Sequence, residues 1–168
     1  IGGFAVTAGI GVAERVAEFR KNGDDYSGIL LEALADRLAE AFAEKLHRDV
    51  RVLWGIEPEA PLTNDQLIAE DFRGIRPAPG YPACPDHTEK QLLFQLMDTQ
   101  DQIGVELTES MMMVPGSSVC GYYIAHPDAG YFAVGRIGAD QVADYARRKQ
   151  CSVAYVEKWL SPHLAYKT

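Results

Sequence analysis

Apolar and polar positions change period several times along the chain, and each change marks a different kind of element. Residues 4–7, Phe-Ala-Val-Thr, have the β-branched and aromatic content of a strand. A glycine turn then leads into a short helix near Val12. Over residues 26–47 the period is helical. Leu30, Leu31, Leu34, Leu38, Ala41 and Phe42 recur at three- and four-residue intervals, with Glu32, Asp36, Arg37, Glu40 and Glu44 on the other side. This pattern predicts a long structural helix with Ser27 as its cap and the leucine stripe in the core. Alanines at 33, 35, 39, 41 and 43 favour helix and allow close packing.

Residues 50–54 read equally as a short strand or as the frayed end of that helix. Residues 57–61, Glu-Pro-Glu-Ala-Pro, predict a loop. Thr63-Asn-Asp-Gln66 carries the signature of a capping box and opens a short helix to about Glu70. Asp86-His-Thr-Glu89 is a second box-like start, and Leu92, Leu93, Leu96 and Met97 give the following helix an apolar face. Its positive N-terminus is expected to favour an anion in the preceding segment. Residues 105–109 and 118–125 alternate, and 131–137 is again β-rich, with turn residues between them at Pro115-Gly-Ser-Ser and His126-Pro-Asp-Ala-Gly. Three such runs predict an antiparallel sheet. Two short helices close the chain, over 140–148 and 152–160, and Pro162 stops the second. The expected class is α+β, with a twisted antiparallel or mixed sheet and flanking helices.

Composition narrows the function without choosing it. The 168 residues suit one domain or a portion of one, and 47% hydrophobic with 24% charged content is ordinary for a globular protein. A net charge of −8 argues against nucleic acid, whose phosphates call for a basic face. No apolar run is long enough to span a bilayer and no signal-like start is present, so a cytoplasmic protein with no membrane partner is expected. Cys84, Cys120 and Cys151 are odd in number and scattered, which fits a reducing compartment. The chain opens within a strand and without Met, and reads as a piece of something longer.

The densest candidate for chemistry is residues 73–90. Pro77, Pro79, Pro82 and Pro85 exclude helix and central strand there, and each pushes its predecessor toward extended geometry. A stiffened segment of this kind costs little entropy to order on binding, and its backbone groups are expected to be free. Arg76 before it and Tyr81 just beyond Gly80 suit a carboxylate and a heterocycle. The same stretch also reads as a surface connection between two elements. Gly9-x-Gly11 after a strand suggests a dinucleotide loop, but Glu14 stands at the third glycine position and no βαβ repeat follows. Cys84-x-x-His87 lacks a second ligand pair at zinc spacing, so no metal site is expected, nor any catalytic triad.

Residues 73–90, Arg-Gly-Ile-Arg-Pro-Ala-Pro-Gly-Tyr-Pro-Ala-Cys-Pro-Asp-His-Thr-Glu-Lys, closely resemble the S-adenosylmethionine-binding segment of the activation domain of cobalamin-dependent methionine synthase. Residues 33–44, Leu107-Thr-Glu-Ser, His126-Pro-Asp, Tyr131-Phe-Ala-Val-Gly, residues 140–149 and residues 153–160 resemble the same domain in order and spacing. The resemblance runs from Phe4 to about Tyr166. It implies a domain that binds S-adenosylmethionine and supplies its methyl group for reductive methylation of cob(II)alamin. The cobalamin is held by a neighbouring domain, and a flavodoxin-type protein donates the electron. By this resemblance Arg76 grips the ligand carboxylate, the backbone at Ala78 bonds the adenine, and Tyr131 and Phe132 complete the site. Glu70, Gly80 and Tyr81 support it, and His87 faces the cobalamin domain. The family's domain is longer than this chain, and its remaining part supplies an acidic residue for the ligand's amino group. The chain is therefore expected to be the C-terminal portion of such a domain, within a homocysteine methyltransferase, and not active alone. The alternative is a docking module for the cobalamin domain or the reductant, without ligand binding.

Overall fold

The structure, a computed structural model, describes residues 1–57, 60 and 62–168. Of the loop expected over residues 57–61, Pro58, Glu59 and Pro61 lie outside the described residues. Strand β1 (Gly2–Thr7) is followed by helices α1 (Val12–Lys21), α2 (Asp25–Leu53) and α3 (Asn64–Ile68). After the proline segment come α4 (Glu89–Met97) and α5 (Thr99–Ile103), then β2 (Glu106–Leu107), β3 (Met113–Val114) and β4 (Ser118–Tyr123). Helices α6 (Ala139–Lys149) and α7 (Val153–Leu160) end the order, with a 3-10 turn at Ser161–His163. The class is α+β, as expected.

The strands do not form the expected three-stranded sheet. β1 pairs antiparallel with β4, Phe4 opposite Gly121 and Val6 opposite Val119, while β2 and β3 make a separate small hairpin. β1 wins β4 because Phe4 and Val6 bury against α2, whereas residues 131–137 form no strand. Their aromatic content serves a cleft wall instead, and only Ile137 makes a bridge, to Leu164. The antiparallel pairing of β1 also removes the dinucleotide-loop geometry, which requires a parallel βαβ unit. The outer edge of β4 is taken by the start of the proline segment, where Ile75 and Ile124 exchange both backbone bonds and Tyr122 N–H donates to Pro77 O at 2.9 Å. That approach depends on Gly121, because a Cβ there would lie 2.7 Å from Pro77 O.

Helix α2 continues through residues 50–53, with Trp54 as its C-cap, and its packing face is not the predicted one. Gly28, Ala35, Ala39, Ala43, His47 and Arg51 are buried, and Leu30, Leu34, Leu38 and Phe42 are exposed. The two stripes are one residue apart, a rotation of about 100° on a helix. Small side chains let the helix backbone come close to the sheet and to Val16 of α1, which larger leucines would prevent. The cap is Asp24, whose side chain accepts Ser27 N–H, so Ser27 is the capped residue and not the cap. On α4 the buried apolar residues are Leu93 and Phe94, and Leu92 and Leu96 point outward.

Three apolar clusters result. One joins Phe4, Val6, Ala43 and Tyr123 between sheet and α2. A second gathers Leu93, Phe94, Val105 and Cys120 on the opposite face of the sheet. The third, Ile137, Val142, Ala146, Val156, Leu160 and Leu164, belongs to the α6–α7 hairpin itself.

Candidate functional site

The proline segment, the face of α2 toward it and residues 131–132 enclose a cleft of about 410 Å³, of the size that takes a small organic ligand. Arg76, Ala78, Tyr81, Tyr131 and Phe132 line it together with Phe4, Glu40, Pro77, Pro82, Ala83 and Val119. Five of the residues singled out in the sequence therefore meet at one place. Glu70 reaches it through Arg76, with Oε1 3.6 Å from Nη2. Gly80 and His87 do not line it. Gly80 has φ of +99°, and a Cβ there would run into the His87 ring, so the turn packs directly on that histidine. His87 Nδ1 lies 3.2 Å from Lys90 Nζ. Burial and that ammonium hold the pKa of His87 below the usual histidine value.

The backbone of the segment is less free than expected. Gly80 N–H donates to Cys84 O at 2.7 Å, Cys84 N–H to Tyr81 O at 2.9 Å, and Val134 N–H to Pro82 O at 3.0 Å. Tyr81 N–H donates to Ala78 O at 3.3 Å, while Ala78 N–H has no bond among the described residues. At the α4 N-terminus the first amides already donate to backbone carbonyls, Lys90 to His87 at 3.2 Å and Gln91 to Thr88 at 3.1 Å, and the Asp86 carboxylate accepts Thr88 N–H just before them at 2.8 Å.

Arg76 is held from three sides. Its Nη2 lies 2.6 Å from Glu44 Oε2, its Nη1 3.3 Å from His47 Nδ1, and its amide donates to the Tyr131 hydroxyl at 3.0 Å. Burial pushes the Tyr131 pKa up, against the pull of that amide bond. His47 is buried and stacks on Tyr123, centroids 5.0 Å apart, which in turn stacks on Phe4 at 4.7 Å. Burial, with the neighbouring Arg51 and Arg76 charges, lowers its pKa to about 4, so the ring is neutral and its Nδ1 can accept from Arg76. Behind it the Arg51 guanidinium lies fully buried, 3.7 Å from the Phe72 centroid and 2.6 Å from Glu57 Oε2.

Glu40, Glu44 and His47 are the site residues that the sequence hides. They stand at i, i+4 and i+7 of α2, one side of the helix. Reading that helix by its leucines assigns the glutamates to solvent. The alternative signal was the alanine stripe at strict four-residue spacing, which ends in His47. Among the described residues no group of three or more His, Cys, Asp or Glu is placed to hold a metal ion.

Residues 1–150 match the family described as vitamin B12 dependent methionine synthase, activation domain. The chain is also similar to the crystal structure of the MetH reactivation domain bound to AdoHcy, with 54% identity and a TM-score of 0.95. That match covers 98% of this chain and 51% of the other, so the chain spans about half the length of the structure it matches.

Proposed function

The chain belongs to the activation-domain family of vitamin B12-dependent methionine synthase, and from that premise we propose that its Arg76 cleft binds S-adenosylmethionine for cobalamin reactivation. One electron from a flavodoxin-type donor and the methyl group of the ligand would together return cob(II)alamin, held by a neighbouring domain, to methylcobalamin, the sulfonium S–CH3 bond breaking to leave S-adenosylhomocysteine. The chain's own task is to bind and orient the methyl donor. Arg76 offers its guanidinium to the ligand carboxylate, sharing it with Glu44. Glu40, Glu44 and Glu70 surround that point with carboxylates that suit the ammonium and the sulfonium. Tyr81, Tyr131 and Phe132 present rings to the adenine, and Ala78 N–H is free to donate to it. His87, behind Gly80, faces the cobalamin domain.

The observation that carries this reading is the cleft itself, which sets one guanidinium with its acidic partners and four aromatic rings around a space of ligand size. Equilibrium dialysis tests it. Labelled S-adenosylmethionine should be retained saturably and displaced by S-adenosylhomocysteine but not by ATP. No saturable retention, or displacement by ATP alike, contradicts the reading.

We further propose that the chain is the C-terminal portion of a longer reactivation domain in a methyltransferase, does not methylate alone, and works in the cytoplasm, where its three thiols stay reduced. Tyr26, Ile29, Leu30, Leu34, Leu38 and Phe42 support this: an exposed apolar stripe along the longest helix is a surface that another part covers. The outer edge of β1 also lacks a strand partner among the described residues. The other half of the MetH reactivation domain, added as a separate polypeptide, should bind this chain, and Leu38→Glu should prevent it. Equal binding by that variant would remove α2 from the interface. The second reading, a docking module without a ligand, draws on the Arg76–Glu44 pair, in which the guanidinium already has a carboxylate. The dialysis result separates the two.

A further inference from the structure

The proline segment is fixed at its two ends by different means. Its start is held by backbone bonds to β4. Its end, at Asp86, is held by side chains from α6, a helix whose apolar residues pack within their own hairpin cluster. Lys149 Nζ lies 2.8 Å from Asp86 Oδ2, 2.5 Å from Glu89 Oε1 and 2.7 Å from Thr88 Oγ1. The Tyr145 hydroxyl is 2.7 Å from Asp86 Oδ2 and 2.5 Å from Glu89 Oε1. The remaining Asp86 oxygen accepts from Thr88 N–H and Oγ1.

This arrangement has one cation for two carboxylates, and the Asp86 side chain is 8% exposed. A tyrosine hydroxyl carries one proton, so it can donate to only one carboxylate at a time. Lys149 is therefore what allows the Asp86 and Glu89 carboxyl groups to stay close together. Burial alone raises a carboxyl pKa and lowers that of an amine, yet the bonds and charges within the cluster leave Asp86 below and Lys149 above their ordinary values.

We propose that Lys149 is a positioning residue for the ligand cleft: through Asp86 it anchors the far end of the proline segment, so that docking of the α6–α7 hairpin sets the shape of the wall containing Ala78 and Tyr81. Without Lys149 two facing carboxylates share a single hydroxyl proton and repel, and the nearest relief is movement of Asp86 together with the Pro85 end of the segment. Consequences for the ligand rest on the function proposed above, but the positioning role does not.

Hydrogen exchange of the ligand-free chain tests it. In Lys149→Met, which keeps the apolar stem, the amides of Gly80, Cys84 and Val134 should exchange roughly tenfold or more faster, the scale of a lost charged hydrogen bond. Amides of β1 and mid-α2 should keep their wild-type rates. Lys149→Arg, which restores charge and donors, should slow the segment again. Should Lys149→Met fail to fold, Tyr145→Phe removes only the hydroxyl and should shift the same amides in the same direction. Unchanged segment exchange, or acceleration spread evenly over β1 and α2, overturns the proposal. With S-adenosylhomocysteine added, affinity should fall in Lys149→Met and recover in Lys149→Arg. Wild-type affinity in a variant whose segment has loosened removes the link to the cleft. Absence of binding by the wild type rejects the ligand reading and leaves the exchange result to stand or fall alone.

Discussion

At the scale of single residues, Arg76 is the guanidinium of the cleft and a buried, neutral His47 is its neighbour. A protonated imidazole 3.3 Å from the Arg76 guanidinium would add a further positive charge beside Arg76 and the buried Arg51, and burial together with those charges prevents that by holding the His47 pKa at about 4. The folded-state value lies below the unfolded value of about 6.5, so between these limits the unfolded chain binds the extra proton. Stability should thus be complete above about pH 6.5 and fall on acidification toward pH 4, by at most about 3 kcal/mol. Urea unfolding across that range should show the slope in the wild type and a flatter one in His47→Gln. An unchanged slope in the variant would mean that another group titrates. Arg76 and Tyr81 were legible in the sequence because they flank a segment that four prolines stiffen and a glycine interrupts, whereas Ala78 was reached only through the family resemblance. Glu44 and His47 were not, because their role depends on which side of α2 meets that segment.

At the scale of elements, most helices were readable and the packing faces were not. Periodicity finds a helix from spacing alone, but the buried side is decided by what must fit against it. The Ala35, Ala39 and Ala43 stripe meets the sheet because it is small, and hydrophobicity ranks it below the leucines beside it. Substitutions at two successive positions separate the cases. Ala39→Leu should overpack the buried face and cost about 1–3 kcal/mol. Leu38→Ala, at a residue 63% exposed, should stay within about 0.5 kcal/mol of wild type. Denaturant unfolding of both measures this, and the reverse order of severity would return the leucines to the core. Residues 131–137 failed as a strand for a related reason. Their aromatic content is set by the cleft wall, where Tyr131 and Phe132 stay exposed.

At the scale of the whole molecule, three apolar clusters are joined around one stiff segment. The α+β class followed from the mixture of periods, but the pairing of β1 with β4 did not. It links Phe4 to Gly121 across most of the chain, and no local turn announces it. This long-range pairing brings Phe4 and Val119 into the cleft that local motifs had only half described. The proposed function rests on binding of S-adenosylmethionine in this cleft through Arg76. Calorimetric titration of the chain with that ligand, beside Arg76→Ala, tests it most directly. Binding by the wild type should be saturable and should weaken by about 1.5–3 kcal/mol in the variant, as expected for a lost charged hydrogen bond. Equal affinity in the two proteins would contradict it.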